Sequence, residues 1–364
     1  MKLFKQLFLL FLFSNCANII PPNGGEADIE APKLLNAEII TNKKNAHTKT
    51  IIFKFDEYIK LNKWEEYFYI SPPTKANIQK KITGRSLLVT IEDTLNENVN
   101  YYVSLNSCVK DNNEGNILDT LNYTFSINNN IDTLALSGNL KDAYTLIPLE
   151  NAWIMLFNQN THDTLIFKKP PNYIAKTDKN GVFHFPNLKD INYKIVALTD
   201  FDFIYNKEEK IAFADNIINI KNDTFISLYA FDPIIKIDSA AENIASLNID
   251  STHESTVLDS AIKKEALPTG KIEIITTMNS PCIFQLSQNK KIVAEFFFKQ
   301  KPYLIDSIVA GKYNLKYIAD SNQDNIWNTG NWENKIQPEK VANYPYEITI
   351  RYNWDLELEW AIEE

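Results

Sequence analysis

Residues 193–206 read YKIVALTDFDFIYN, and residues 313–328 read YNLKYIADSNQDNIWN. The two stretches line up. Each opens on a strand, turns at Asp-x-[Asp/Asn], and closes on Ile, an aromatic residue and Asn; the second copy is two residues longer in its loop. In the second copy Tyr313, Leu315, Tyr317 and Ala319 recur with a period of two, the spacing of a half-buried strand. The pair predicts a β-unit that occurs twice.

Working toward the N-terminus, the same period governs Ile51, Phe53 and Phe55, set against Ile52, Lys54 and Asp56. Further strand runs are expected at Tyr67–Ser71, Ser86–Ile91, Asn100–Leu105 and Asn122–Ile127. Turn chemistry separates them at Ser71-Pro72-Pro73, at Thr83-Gly84 and across Asp111–Asn116. Short strands at regular spacing between such turns predict a β-sandwich. The supply of 17 Tyr and 21 Phe suits strands. A length of 364 residues predicts two or three domains at roughly 100–200 residues each.

A second unit is expected to begin near Leu134, with Leu136–Leu140 and Ala152–Asn158 as its first strands. Asp178-Lys179-Asn180-Gly181 reads as a hairpin turn, with the glycine supplying positive φ. Phe183 and Phe185 then share one face, and His184 points to solvent. Residues 233–268 are polar and poor in aromatics, which predicts a linker. Strands resume at Lys271–Thr276, Cys282–Ser287, Ile292–Lys299, Tyr303–Ile308 and Lys312–Ala319, and end with Pro345–Tyr352 and Leu356–Trp360.

Four segments, IFKFDEYI (52–59), YISPP (69–73), YYVSLNSCVKDNNEGNILD (101–119) and YTFSI (123–127), resemble the SbsA-type bacterial Ig-like domain. The stretch CANIIPPNGGEADIEAPK (16–33) is similar to the start of Bacteroidetes lipoproteins that carry that domain. The strand order that follows resembles the transthyretin-like fold of carboxypeptidase regulatory-like domains. These resemblances imply a seven-strand-type sandwich followed by non-catalytic β modules, and no active site. The expected organisation is a signal peptide over 1–16, a flexible tether over 17–32 and an Ig-like domain over 33–128. A carboxypeptidase regulatory-like sandwich over 133–232, the linker over 233–268 and a second transthyretin-like sandwich over 269–364 complete it. The fold class is all-β, built of tandem sandwich modules.

The N-terminus carries Lys2 and Lys5, then the apolar run Leu7–Phe13, far shorter than the ~20 residues of a membrane span. Cys16 follows where a lipoprotein signal places its lipidated cysteine. The expected location is the outer membrane, held by lipid, on either its periplasmic or its outer face. Cys108 and Cys282 lie in different candidate domains without metal spacing and read as small buried apolar residues.

The net charge of −9 and the lack of a Lys/Arg stripe exclude a nucleic-acid partner. The four histidines are scattered, and no nucleophile elbow, P-loop or dinucleotide fingerprint occurs. No cofactor is expected, with one exception to weigh. In DSNQDNIWNTG (320–330), Asp320, Asn322 and Asp324 hold the first, third and fifth places of a calcium loop, with Ile326 offering a carbonyl and Asn328 a ninth-place ligand. Asn325 replaces the usual glycine, Asn331 replaces the twelfth-place Glu, and no helix enters. The other reading is a rigid Asx-rich turn capped by Trp327 and Trp332. Asp-Ser triplets in the linker nominate Ser239, Ser251 and Ser260 for O-glycosylation, by likeness to the signal of periplasmic Bacteroidetes proteins. The expected function is a non-catalytic, lipid-anchored structural or binding module of the cell envelope. The alternatives are a carbohydrate- or surface-polymer-binding lipoprotein and an accessory subunit of an envelope assembly or transport machine. The partners are the membrane, through the anchor, and an envelope protein or glycan.

Overall fold

Runs of β-branched and aromatic residues, broken by Asn, Asp, Gly and Pro, leave little for helices to use, and the chain is all-β. The computed structural model describes residues 27–42, 45–128, 130–199, 203, 205–206, 208–233 and 269–362. Cys16, Ser239, Ser251, Ser260 and residues 234–268 of the expected linker fall outside the described residues. Among the described residues no helix is long and apolar enough to cross a membrane.

The first module holds β1 (Leu34–Asn42), β2 (Asn45–Phe55), β3 (Ile59–Leu61), β4 (Tyr69–Ser71), β5 (Asn77–Thr83), β6 (Ser86–Glu92), β7 (Asn100–Ser104), β8 (Val109–Asp111) and β9 (Asn122–Ser126). The strand expected from Tyr67 starts at Tyr69 instead. Residues Trp64–Tyr67 make one helical turn, because Trp64 and Phe68, four apart, stack at 4.2 Å. The second module holds β10 (Leu134–Asp142), β11 (Trp153–Asn158), β12 (Tyr173–Lys176), β13 (Val182–Leu188), β14 (Asn192–Leu198), β15 (Ile211–Phe213), β16 (Ile218–Asn219) and β17 (Phe225–Ala230). The third holds β18 (Thr269–Thr276), β19 (Cys282–Gln288), β20 (Lys291–Phe298), β21 (Tyr303–Val309), β22 (Gly311–Ala319), β23 (Val341–Asn343), β24 (Ile348–Ile350) and β25 (Asp355–Trp360).

These strands fall into two compact bodies. The first comprises the described residues of Met1–Phe68, Ala76–Asp93 and Ser104–Asn122. Its antiparallel sheet runs β1-β2-β6-β5, and β3 pairs with β8. Ile51, Phe53 and Phe55 alternate on β2 and meet Leu87, Val89 and Ile91 of β6, all fully buried. The loop after β8 closes on one carboxylate. Asp111 accepts the N–H groups of Asn113, Glu114, Gly115 and Asn116 at 2.7–2.9 Å, which holds it below the usual carboxylate range.

The second body comprises Tyr69–Lys75, Thr94–Val103 and Tyr123–Glu364 in their described parts. It contains most of the three-stranded sheet β4-β7-β9 together with the second and third modules. Those two modules share one topology. In each, a three-stranded sheet (β13-β10-β17, then β21-β18-β25) accompanies a larger one (β12-β11-β14-β15 with β16, then β20-β19-β22-β23 with β24). In each, the last strand lies parallel to the first. Tyr193 donates its hydroxyl to the carbonyl of Lys189 at 2.9 Å, and Tyr313 does the same to Val309 at 2.8 Å, four residues upstream in both cases. Two interiors follow, one around Leu136, Ile154, Phe183, Phe185 and Tyr193, the other around Ile272, Phe284, Tyr303, Leu315 and Tyr317. Each such side chain contributes about 1.5–3 kcal/mol by burial.

The turn at Asp178–Gly181 is tight, with Gly181 at φ +72°, but it is not a hairpin between paired strands. It carries the chain from β12, which pairs β11, to β13, which pairs β10 in the other sheet. Phe183 and Phe185 point inward and His184 outward. Cys108 and Cys282 are buried free thiols.

Candidate functional site

Two strands of the second module, WIMLFN and NYKIVAL, are apolar beyond simple alternation. A strand buried on both faces reads this way. One face of β11, β14 and β15 forms the sandwich interior. The other presents Trp153, Met155, Phe157, Val196, Leu198, Ile211 and Phe213, all buried. The cover comes from three places. Phe167, Phe203 and Tyr205 come from the module's own loops, Tyr69 and Tyr102 from the β4-β7-β9 region, and Trp327 and Trp332 from the third module.

The rings meet edge to face in most cases. Tyr69 lies 5.5 Å from Trp153, Phe203 lies 4.8 Å from Trp153, and Trp332 lies 5.3 Å from Phe213 and 5.5 Å from Phe167. Trp327 packs 5.0 Å from Tyr144. Such pairs add about 0.5–1.5 kcal/mol each beyond area burial. Gly330 passes so close to the joint that a Cβ there would lie 2.6 Å from the Phe231 ring and 2.8 Å from the Ile336 carbonyl.

Polar groups fix the register of this aromatic joint. Thr329 donates its hydroxyl to the Asp232 carbonyl at 2.5 Å. The Gln337 amide donates to the Phe213 carbonyl and to Asp215 Oδ1, both at 2.9 Å. Tyr144 donates to Gln285 Oε1 at 3.0 Å, and Lys316 Nζ donates to the Tyr144 carbonyl at 2.7 Å while standing 3.9 Å from the Tyr144 ring centroid. Burial pushes the Lys316 ammonium down to about 8, and the Asp142 carboxylate opposes the shift. Lys335, over the Trp332 ring, is likewise pushed down to about 8 by burial.

The loop DSNQDNIWNTG positions Trp327. Asp320 is buried and accepts the N–H groups of Asp324 and Asn325 at 3.1 and 3.2 Å. Asn325 takes the left-handed φ of 63° that its place in the turn requires. Asn322, Asp324 and Asn328 converge above it, linked at 2.8–2.9 Å through the amides of the two asparagines. Ile326 is exposed, and its carbonyl accepts weakly from Asn328 at 3.4 Å. Glu339, which no local spacing nominates, closes the loop by accepting Ser321 N–H and Asn328 N–H at 2.9 Å each, and its carbonyl accepts Trp327 Nε1–H. Glu333 stays exposed. The loop thus satisfies itself by hydrogen bonds, and a cation would require both asparagine amides to turn their oxygens inward.

Other chemistry is sparse. Ser137 Oγ lies 2.9 Å from His184 Nδ1, but both sit on an exposed sheet face, where nothing excludes water from a reacting group. Among the described residues no three His, Cys, Asp or Glu side chains gather as a metal site. A cleft of about 620 Å³ opens beside the joint, lined by Phe213, Asp215, Tyr229, Gln337, Asn343 and Trp360 among others.

None of the curated proteins matches the chain. Among solved structures, similarity extends to GBS52, the minor pilin of Streptococcus agalactiae, at 13% identity over 63% of this chain and 95% of that one, with a TM-score of 0.21. It extends to BcpA, the major pilin subunit of Bacillus cereus, at 12% identity over 55% and 70%, with a TM-score of 0.19. The S-layer protein rSbsC is similar at 13% identity over 89% of this chain and 41% of its own, with a TM-score of 0.21. Likenesses at these scores carry no assignment of function. Residues 28–127 match the family described as bacterial Ig-like domain.

Proposed function

We propose that the protein is a non-catalytic structural element of the cell envelope, tethered by lipid at Cys16, whose second and third modules act as one stiff arm. The single observation behind this reading is the aromatic joint. Side chains from three parts of the second body bury one sheet face that neither module could cover alone. The anchor rests on Leu7–Phe13 followed by Cys16. The outer membrane follows from the resemblance of residues 16–33 to the start of Bacteroidetes lipoproteins.

Calorimetry on the full chain tests the joint. The second and third modules should unfold together. Trp332→Ala should lower their stability by about 3 kcal/mol, the scale of a large-to-small aromatic change, and split the transition in two. A wild type in which the two modules already melt separately refutes the stiff arm.

A second reading, binding of a carbohydrate or surface polymer, rests on the cleft beside the joint. Its mixture of aromatic faces and side-chain amides suits a sugar ring. Glycan-array binding that is lost in Tyr229→Ala would favour it.

A further inference from the structure

Among the described residues, three apolar side chains stand on left-handed backbone: Leu146, Phe167 and Phe203, at φ +61°, +70° and +60°. The other non-glycine residues with positive φ are Asn, Lys, Ser and Gln. A bulky apolar residue gains nothing locally from this conformation, because its Cβ crowds the following carbonyl. All three belong to the aromatic joint. Phe167 and Phe203 help cover the outer sheet face of the second module, and Leu146 packs with Tyr144 and Trp327 on Ile283, Ile318 and Val341 of the third.

Two of the three sit where the second module reaches across. The turn after β10 presents Tyr144, Thr145 and Leu146 in succession. Tyr144 donates its hydroxyl to Gln285 and accepts from Lys316 on its carbonyl, the Thr145 carbonyl accepts from the Asn343 amide at 3.4 Å, and Leu146 supplies its side chain. In the loop after β11, Asp163 lies 3.9 Å from Lys335, and Phe167 meets Trp332 edge to face. Phe203 stays within its own module, over Trp153.

The sandwich interiors do not depend on these contacts. The one around Leu136 and Phe183 draws on residues 134–230, and the one around Ile272 and Phe284 on residues 272–362. Parting the modules therefore leaves each interior whole and frees both turns. Left-handed backbone disfavours a residue other than glycine by about 5–30-fold in equilibrium constant. That factor weighs against docking at every turn that relaxes once it is free.

We propose that the joint is spring-loaded: docking holds the turns at Leu146 and Phe167 in left-handed backbone, which they leave when the second and third modules part. The arm then has a second state, two intact sandwiches on a released joint, and it yields there before either sandwich opens. Strain held by surrounding contacts and relieved in the alternative state is what makes such an element two-state. The proposal rests on the reading of the two modules as one arm.

The experiment compares glycine with alanine at each position in the full chain, by urea unfolding. Both changes remove the apolar side chain, and glycine alone removes the left-handed penalty. In the closed chain the folding constant of Leu146→Gly should exceed that of Leu146→Ala by about 5–30-fold, and Phe167→Gly should exceed Phe167→Ala likewise. The open background is Tyr144→Ala/Trp332→Ala, which removes ring contacts at both turns. There the second module's own transition is read, and alanine should exceed glycine by about two- to fivefold, as on ordinary backbone. A closed chain in which glycine is no better than alanine overturns the proposal. So does a glycine advantage that persists in the open background, because the strain would then belong to the turns themselves, fixed by bonds such as Leu146 N–H to the Asp142 carbonyl at 2.9 Å. Both results leave the single arm standing. An open background that still melts as one also overturns the proposal, since the joint then has no released state. Two separate transitions in the wild type refute the single arm, and the proposal with it.

Discussion

Replacing Lys316 by Met tests the electrostatics of the joint most sharply. Methionine keeps much of the apolar stem and removes the charge. Burial lowers the lysine from 10.5 to about 8, so the folded state favours the neutral amine. Below pH 8 both states are protonated, and the folded state carries the full penalty. Between pH 8 and 10.5 the folded lysine gives up its proton while the unfolded one keeps it. Stability therefore rises with pH in that window, by at most about 1.4 kcal/mol per pH unit and about 3 kcal/mol in all. These are ceilings, since the side chain is not fully enclosed and solvent screens it. The assay is urea unfolding of wild type and Lys316→Met at pH 7.5, 8.5 and 9.5. At pH 7.5 the variant should equal or exceed the wild type, because the lost bond to the Tyr144 carbonyl is offset by the lost desolvation. Its advantage should shrink as pH rises. Lys335 and the buried tyrosines titrate in both proteins and largely cancel in the difference. A difference that stays constant with pH refutes the argument, as does one that grows in the variant's favour.

Mass analysis of the N-terminal peptide from membranes should find Cys16 acylated, and Cys16→Ala should release the protein to the soluble fraction. Protein from its native host should exceed the mass of the lipidated polypeptide, with the excess removed by Ser→Ala changes at 239, 251 and 260. The loop at 320–328 brings only two charged groups of its own, Asp320 and Asp324. If the loop takes calcium, the affinity lies in the ~10⁻⁴–10⁻³ M range and the gain in stability is about 1.4 kcal/mol at ten times Kd. Asp324→Asn should abolish the shift, and a melt indifferent to calcium and chelator leaves the hydrogen-bonded turn alone.

Much of the architecture was legible wherever burial is one-sided. Ile51, Phe53 and Phe55 announced β2 by alternation, and the Tyr193 and Tyr313 stretches announced the repeat. What escaped was decided elsewhere in the chain. NIQKKIT of β5 lies at a sheet edge, with most of its side chains exposed, and offers no apolar face to read. The glycine at 181 prescribes a tight turn but not which sheet its two strands join. Trp327 and Trp332 stood out as aromatics in a polar loop, yet their destination is a sheet face in another module. Glu339 had no signal, because a carboxylate that closes a loop from outside keeps no fixed spacing to it.

The doubly covered sheet of the second module also constrains how the chain can be born. Each module's last strand is parallel to its first, so neither closes until its whole length has been made. For the second module closure alone is insufficient. Phe167 and Phe213 lack one ring of their cover until the ribosome has delivered Trp332. A nascent chain stalled before the third module would present a partly unroofed aromatic surface, prone to capture by other chains. Maturation of the second module is thus coupled to completion of the third.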